Sequence, residues 1–237
     1  MSDHAILNTE AHRELRIREE RGAALGDAVM CCVTFPREFR RIAAEYPILF
    51  RLNAERDAFT ALAMFGFSDG ENLFLDGDRW DAEYLPLAID IQPFLIGGAD
   101  PQGQKQVHID MASPRIGAGE GVRLFDADGR GTPYLEDVAG KLGALDEGYQ
   151  AAADFLAAME RHKLLEPLTL EITLEDGSTN RLVGFHTVDE RRLAALDAAV
   201  LGELQAADHL MPLFMAVASV GQFSKLVTRK NKRNRHG

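Results

Sequence analysis

Two groups of residues carry side chains whose types and spacing suit chemistry. The first is His108-Ile109-Asp110. On a strand, residues two apart share a face, so an imidazole and a carboxylate would point the same way. Non-haem iron and 2-oxoglutarate oxygenases place two metal ligands with this spacing, and a distant histidine closes the triad. His186 or His209 would have to supply it. The plainer reading of His108 is a surface-facing strand residue beside a turn. The second group is Asn72, Asp76, Asp78, Trp80 and Tyr84, around the chain's one tryptophan. An indole beside carboxylates and an amide can stack on a sugar or aromatic ring while the polar groups orient it. The plainer reading is a core indole whose N–H is satisfied by a turn carboxylate.

Other patterns fail on their own spacing. Asp126, Asp128 and Gly129 suggest a calcium loop. Placing Gly129 at the sixth position puts Leu124 first and Leu135 twelfth, and neither ligates calcium. The stretch therefore reads as a hairpin turn. Gly97-Gly98 and Gly117 to Gly121 lack the strand-then-helix setting of a phosphate loop. No Gly-x-Ser-x-Gly elbow occurs. Cys31 and Cys32 are neighbours, which can pair with each other only through a strained ring, so they read as small apolar residues of a reducing compartment.

The elements that must position these groups follow from periodicity. Residues 1–26 read as an N-terminal arm, with a helix predicted over Glu10 to Arg21. A short helix over Arg37 to Glu45 follows Pro36. Strands are predicted at Val29 to Val33, Ile48 to Leu52, Phe59 to Phe67, Asn72 to Leu75, Gln106 to Asp110 and Val122 to Phe125. Leu85 to Ile96 holds Pro86 and Pro93 and reads as an edge or irregular segment. Gly97 to Gly103 reads as a loop. Thr132-Pro133 opens the longest helix, with an N-cap and a first-turn proline. Its apolar stripe runs Leu135, Val138, Leu142, Leu145, Tyr149, Ala152, Leu156, Met159. Leu168 to Leu174 alternates strictly and returns over Leu182 to Val188 through Asp176-Gly177. Asp189 is expected to cap one helix through Leu204, and Asp208 another. The tail after Leu226 is expected to fray. Strands crowd the first half and helices the second, an α+β fold of antiparallel hairpins packed against a mainly helical C-terminal half. The predicted organisation is a single domain over residues 27–226 between the arm and a basic tail, 227–237.

The net charge is −11 over 237 residues. Arg229, Lys230, Lys232, Arg233 and Arg235 concentrate +5 in the tail, so the body repels phosphate backbones and nucleic acid is excluded as the main partner. The tail itself reads as a solvated end or as a contact for an acidic partner or anionic lipid. No secretory signal is evident. The longest apolar run, Leu210 to Val220, is too short to span a bilayer. The expected location is the cytoplasm.

Several pieces together resemble the SapC-like family of bacterial proteins: Tyr46-Pro47-Ile48 with Phe50, Asn72-Leu73-Phe74, Asp76-Gly77 with Trp80, Tyr84 with Pro86, and Pro93-Phe94. Leu124-Phe125-Asp126 with Asp128-Gly129, the Asp176-Gly177 hairpin and the helical end from Leu193 to Phe223 extend the likeness. One position departs: Asp90 stands where the family is expected to hold an arginine, which removes an anion-binding role for that side chain here. The resemblance implies an association with bacterial surface layers and a link to outer-membrane receptor, flavin-halogenase-like and cupin-like genes. It brings no catalytic residues and no cofactor.

Three readings follow. The first is a non-catalytic cytoplasmic accessory protein that binds a protein partner or small ligand, with a self-association seam through Leu135, Val138, Leu142, Leu145 and Tyr149. The second is a metal-dependent oxygenase using His108, Asp110 and His186. The third is a carbohydrate or peptide binder through Trp80.

Overall fold

The computed structural model describes residues 3–99, 105–117 and 119–236. The fold is α+β, with antiparallel strands through the first half and helices mostly in the second. The chain divides into two compact units that interleave along the sequence. One comprises residues 1–28, 75–81 and 87–147, the other residues 29–74, 82–86 and 148–237.

In the first unit, strand Lys105–Asp110 lies between His4–Ile6 and Phe94–Ala99. Strand Arg16–Ile17 lies between Ile116–Gly117 and Val122–Arg123. The core joins Ile17, Phe94, Ile109 and Leu124 to Val138 and Leu142. The helix predicted over Glu10 to Arg21 is replaced by a four-residue helix, Thr9–His12, and the Arg16–Ile17 strand. Leu15 and Ile17 are too few to make a helical stripe, and burying Ile17 completely between two strands outweighs local propensity. Asn8 caps the short helix by accepting from the Ala11 N–H at 2.8 Å. The segment foreseen as irregular holds a short helix, Leu87–Asp90, and then strand Phe94–Ala99. The first residues of the predicted 97–103 loop are thus in that strand, and residues 100–104 lie outside the described residues. The strand predicted over Asn72 to Leu75 shrinks to Leu75–Asp76, paired with Arg79–Trp80.

The second unit is built on one five-stranded antiparallel sheet. Its order is Leu165–Thr173, Thr179–Val188, Ile48–Leu52, Phe59–Met64, Cys31–Val33. Ile48–Leu52 forms where predicted. Its hairpin partner is set by register, with Phe50 opposite Ala61. Helix Phe39–Glu45 buries Phe39, Ile42 and Ala43, the face its spacing foretells. The single helix expected after Asp189 is two, Glu190–Ala194 and Ala198–Ala206. Asp197 breaks it by accepting from the Val200 N–H at 2.9 Å, which starts a new N-terminus. Asp208 does not cap the next helix. Its backbone is left-handed, with φ 57°, and helix Leu210–Ser219 begins after His209 without a side-chain cap.

The tail does not fray. Helix Phe223–His236 continues from Leu210–Ser219 through a 3-10 turn at Val220–Gln222. Arg229 lies 4.4 Å over the Phe74 ring. Lys230 pairs with Glu71, Arg235 with Glu175, and Asn234 donates to Asp176 at 2.8 Å. These acidic partners lie 58 to 159 residues away in sequence, which is why tail composition alone suggests a loose end. The apolar run therefore does not stop at Val220. By length and composition alone Leu210–Arg235 is long enough to cross a membrane, yet Leu213, Ala216, Phe223 and Leu226 on it are buried in the unit.

The helix opened by Thr132 runs unbroken as Pro133–Arg161, 29 residues, despite three glycines. Gly140 and Gly143 are exposed and a β-carbon there would touch nothing. At Gly148 a β-carbon would fall 2.2 Å from the Phe35 ring. Gly140→Ala and Gly143→Ala should each raise stability by about 0.5–1 kcal/mol through helix propensity. Gly148→Ala should lower it by roughly 1–3 kcal/mol, because Phe35 must move. Thermal unfolding followed by circular dichroism checks the opposed signs. Equal stabilisation at all three positions would mean that Phe35 does not seat on Gly148.

Candidate ligand-binding site

The residues singled out around Trp80 divide between the units. Asp76 and Asp78 flank the Gly77 turn of the small hairpin in the first unit, both exposed, and Asp76 pairs with Arg79 at 3.4 Å. Trp80 is half-buried opposite Leu75. Asn72 and Tyr84 belong to the second unit. Asn72 is buried and its Oδ1 accepts from the Phe74 N–H at 3.0 Å, which shapes the local turn. The Tyr84 hydroxyl donates to Glu38, and its N–H donates to Glu45 Oε1 at 2.9 Å. Burial, and then the Glu38 carboxylate, push the Tyr84 phenol well above its ordinary value. Arg41 lies over its ring at 5.3 Å. Asn72 and Tyr84 are thus committed to internal contacts.

His108 and Asp110 share a face of strand Lys105–Asp110, as the spacing requires. Asp110 Oδ1 accepts from the N–H groups of Asp3, at 3.0 Å, and Ala112, at 3.1 Å. The His108 imidazole lies across the neighbouring strand at Gly97, where a β-carbon would come within 2.0 Å of the ring. His186 is in the other unit, on strand Thr179–Val188, edge-on to Phe59 at 4.9 Å between centroids. Burial lowers its pKa from the ordinary value, helped by Arg56. Among the described residues no three His, Cys, Asp or Glu side chains converge to hold a metal ion. The Asp126 segment is the expected turn: its Oδ1 accepts from the N–H groups of Asp128 and Arg130. Of the proposed seam, Val138 and Leu142 are buried in the core of the first unit, Leu135 and Leu145 pack partly against that core, and Tyr149 is exposed.

A charge network in the first unit escaped sequence reasoning. Arg115 is 1 % exposed and pairs with buried Asp27 at 2.6 Å. Its other nitrogen donates to the carbonyls of Arg18 and Glu20, at 3.3 and 3.0 Å. Asp27 Oδ2 accepts from the Gly22 N–H at 2.8 Å. Asp90 accepts from Arg21 at 3.1 Å and Lys141 at 2.7 Å. The anion thus brings two cations together. Tyr134, close to this network, is pushed up to about 12, chiefly by burial and then by Glu19. Each of these charges has an opposite partner. The work of the network is to pin the segment from Arg18 to Asp27.

The second unit holds a cavity of about 280 Å³. Thr34, Phe35, Ala61 and Ala152 form a buried floor, and half-buried Phe59, Thr60 and Leu156 form its walls. Asp57, Ala58, Tyr149, Ala153, Ala157 and Glu160 are exposed at its mouth. The space exists because the long helix presents alanines at 152, 153 and 157, while Gly148 lets Phe35 approach the helix. The one polar side chain in the floor is already oriented. Thr34 Oγ1 donates to Glu38 Oε2 at 3.0 Å, and Glu38, 3 % exposed, also accepts from Tyr84. Among the described residues, the lining contains no lysine, arginine, histidine or cysteine. Such a site can enclose an apolar group. The stripe of the long helix passes through Ala152 and Leu156, so part of the lining was legible as an apolar face. The cavity was not, because it depends on strand Phe59–Met64 and Phe35 arriving opposite.

Comparison with curated proteins finds no match, and comparison with solved structures finds none. The SapC family description matches residues 7–226, nearly the whole chain and both units. The chain belongs to the SapC family.

Proposed function

We propose that this chain is a non-catalytic accessory protein that binds the apolar part of a small ligand in the cavity of the second unit. The observation that carries this reading is the closed, apolar floor of Phe35, Ala61 and Ala152 beneath an open mouth. A preformed concavity of this kind exposes apolar surface whose cover by a ligand is favourable without refolding. The absence of titratable side chains other than Asp57, Tyr149 and Glu160 from the lining favours binding over chemistry. The setting that family resemblance implies, bacterial envelope or outer-membrane-receptor systems, supplies the context, and the free thiols of Cys31 and Cys32 favour a cytoplasmic site of action.

Ligand-observed NMR with 4-phenylbutan-1-ol, a neutral probe, tests the reading. Saturation transfer is expected with the native chain and should vanish in Ala157→Trp, which places an indole over the mouth from an exposed position. A probe that does not bind, or that binds both proteins alike, would remove the cavity from consideration.

A further inference from the structure

The polarity of the cavity specifies more than an apolar occupant. We propose that its ligand is a small free amine carried on an apolar body, held with its ammonium group at the mouth between Asp57 and Glu160. This rests on the cavity being the binding site. Both charged residues of the lining are acids, and both are exposed at the mouth, where a cation keeps part of its hydration. In the floor, the Thr34 hydroxyl already donates its hydrogen bond to Glu38, so its oxygen faces a ligand as an acceptor. Thr60 and Tyr149 hydroxyls can turn to accept as well. A carboxylate or phosphate ligand would meet two like charges and no cation among the lining residues. An ammonium group meets two carboxylates and acceptor oxygens, and its apolar body covers Phe35, Phe59 and Leu156. The volume, about 280 Å³, suits one ring and a short chain.

Isothermal titration with three probes of one shape decides the matter: 4-phenylbutylamine, 4-phenylbutan-1-ol and 4-phenylbutanoate. The amine should bind about tenfold more tightly than the alcohol, roughly threefold from each exposed carboxylate. The carboxylate should bind more weakly than the alcohol. Asp57→Asn with Glu160→Gln should bring the amine down to the affinity of the alcohol and leave the alcohol unchanged. Both positions are exposed, and the Asn side chain in Asp57→Asn keeps an oxygen to accept from the Asn53 amide as Asp57 Oδ1 does, so the fold is retained. If amine and alcohol bind equally to the native chain, or the acid binds best, the amine assignment fails while the cavity reading stands. If none of the three binds, the cavity reading fails first. A capped Phe–Lys dipeptide offers the same chemistry as part of a polypeptide, and its binding more tightly than the amine would overturn the assignment to a free small molecule.

Discussion

Arg115→Ala is expected to cost the first unit about 3–5 kcal/mol of stability, the range for removing one partner of a buried ion pair. Arg115 is almost fully enclosed, and so is its partner Asp27. Truncation would leave a buried carboxylate facing the vacated space, with the Gly22 N–H on Oδ2 and the more distant Arg21, at 3.8 Å, among the contacts left to it. It would also strand the carbonyls of Arg18 and Glu20 that the guanidinium now satisfies. Trp80 lies in the same unit and is the chain's one tryptophan, so its fluorescence in urea reports on the right structure. Asp27→Ala should cost a similar amount. The double variant should cost little more than either single one, because the two groups act as a pair. A loss under about 1 kcal/mol in Arg115→Ala, or strict additivity, would show that the pair does not hold the Arg18 to Asp27 segment in place.

Phe155→Ala should destabilise the second unit by about 3–5 kcal/mol. Phe155 is fully buried on the long helix. It meets Phe39 edge-on at 5.8 Å and His209 edge-on at 5.5 Å, so one side chain joins three helical segments. Losing the ring removes transfer energy and leaves a hole that the surrounding helices fill only partly. A second readout separates this from general damage. Burial lowers the pKa of His209, and its buried Nδ1 has no hydrogen-bond partner among the described residues. With the ring gone, water can reach that nitrogen, and the pKa should rise toward its ordinary value near 6.5. Chemical denaturation followed by circular dichroism gives the first quantity, and NMR titration of the imidazole gives the second. An unmoved His209 alongside a small stability loss would place Phe155 outside the core that the ring contacts describe.

Both effects come from contacts that no local pattern announces. Where neighbours in sequence decide the outcome, the reading from residues holds. Thr132-Pro133 starts the long helix where predicted, since the cap and the proline act within one turn. Leu168, Leu170 and Ile172 alternate in burial with Thr169 and Glu171 because a strand's side chains alternate regardless of what covers them. Asp189 caps by its own side chain, at 3.0 Å from the Arg192 N–H.

Of the candidate residues, the sequence marks out chemical types and not company. His108 and Asp110 do share a strand face, yet what Asp110 does there is set by the N–H of Asp3, 107 residues away. Trp80 and Tyr84 are four residues apart and fall in different units. Thr34 carries no motif, and becomes the polar point of a cavity floor with its hydroxyl donating to Glu38, four residues on.

The sequence by itself determined the family, the α+β class, the long helix and the securest hairpin, because periodicity, caps and turn residues act over a few positions and survive any tertiary context. The tertiary structure alone decided that Arg115 meets Asp27, that the basic tail docks on Glu71 and Glu175, and that three alanines face Phe35 and Phe59 across an open space. Burial, charge pairing and empty volume are properties of surfaces brought together from distant parts of the chain, and no stretch of residues carries them alone.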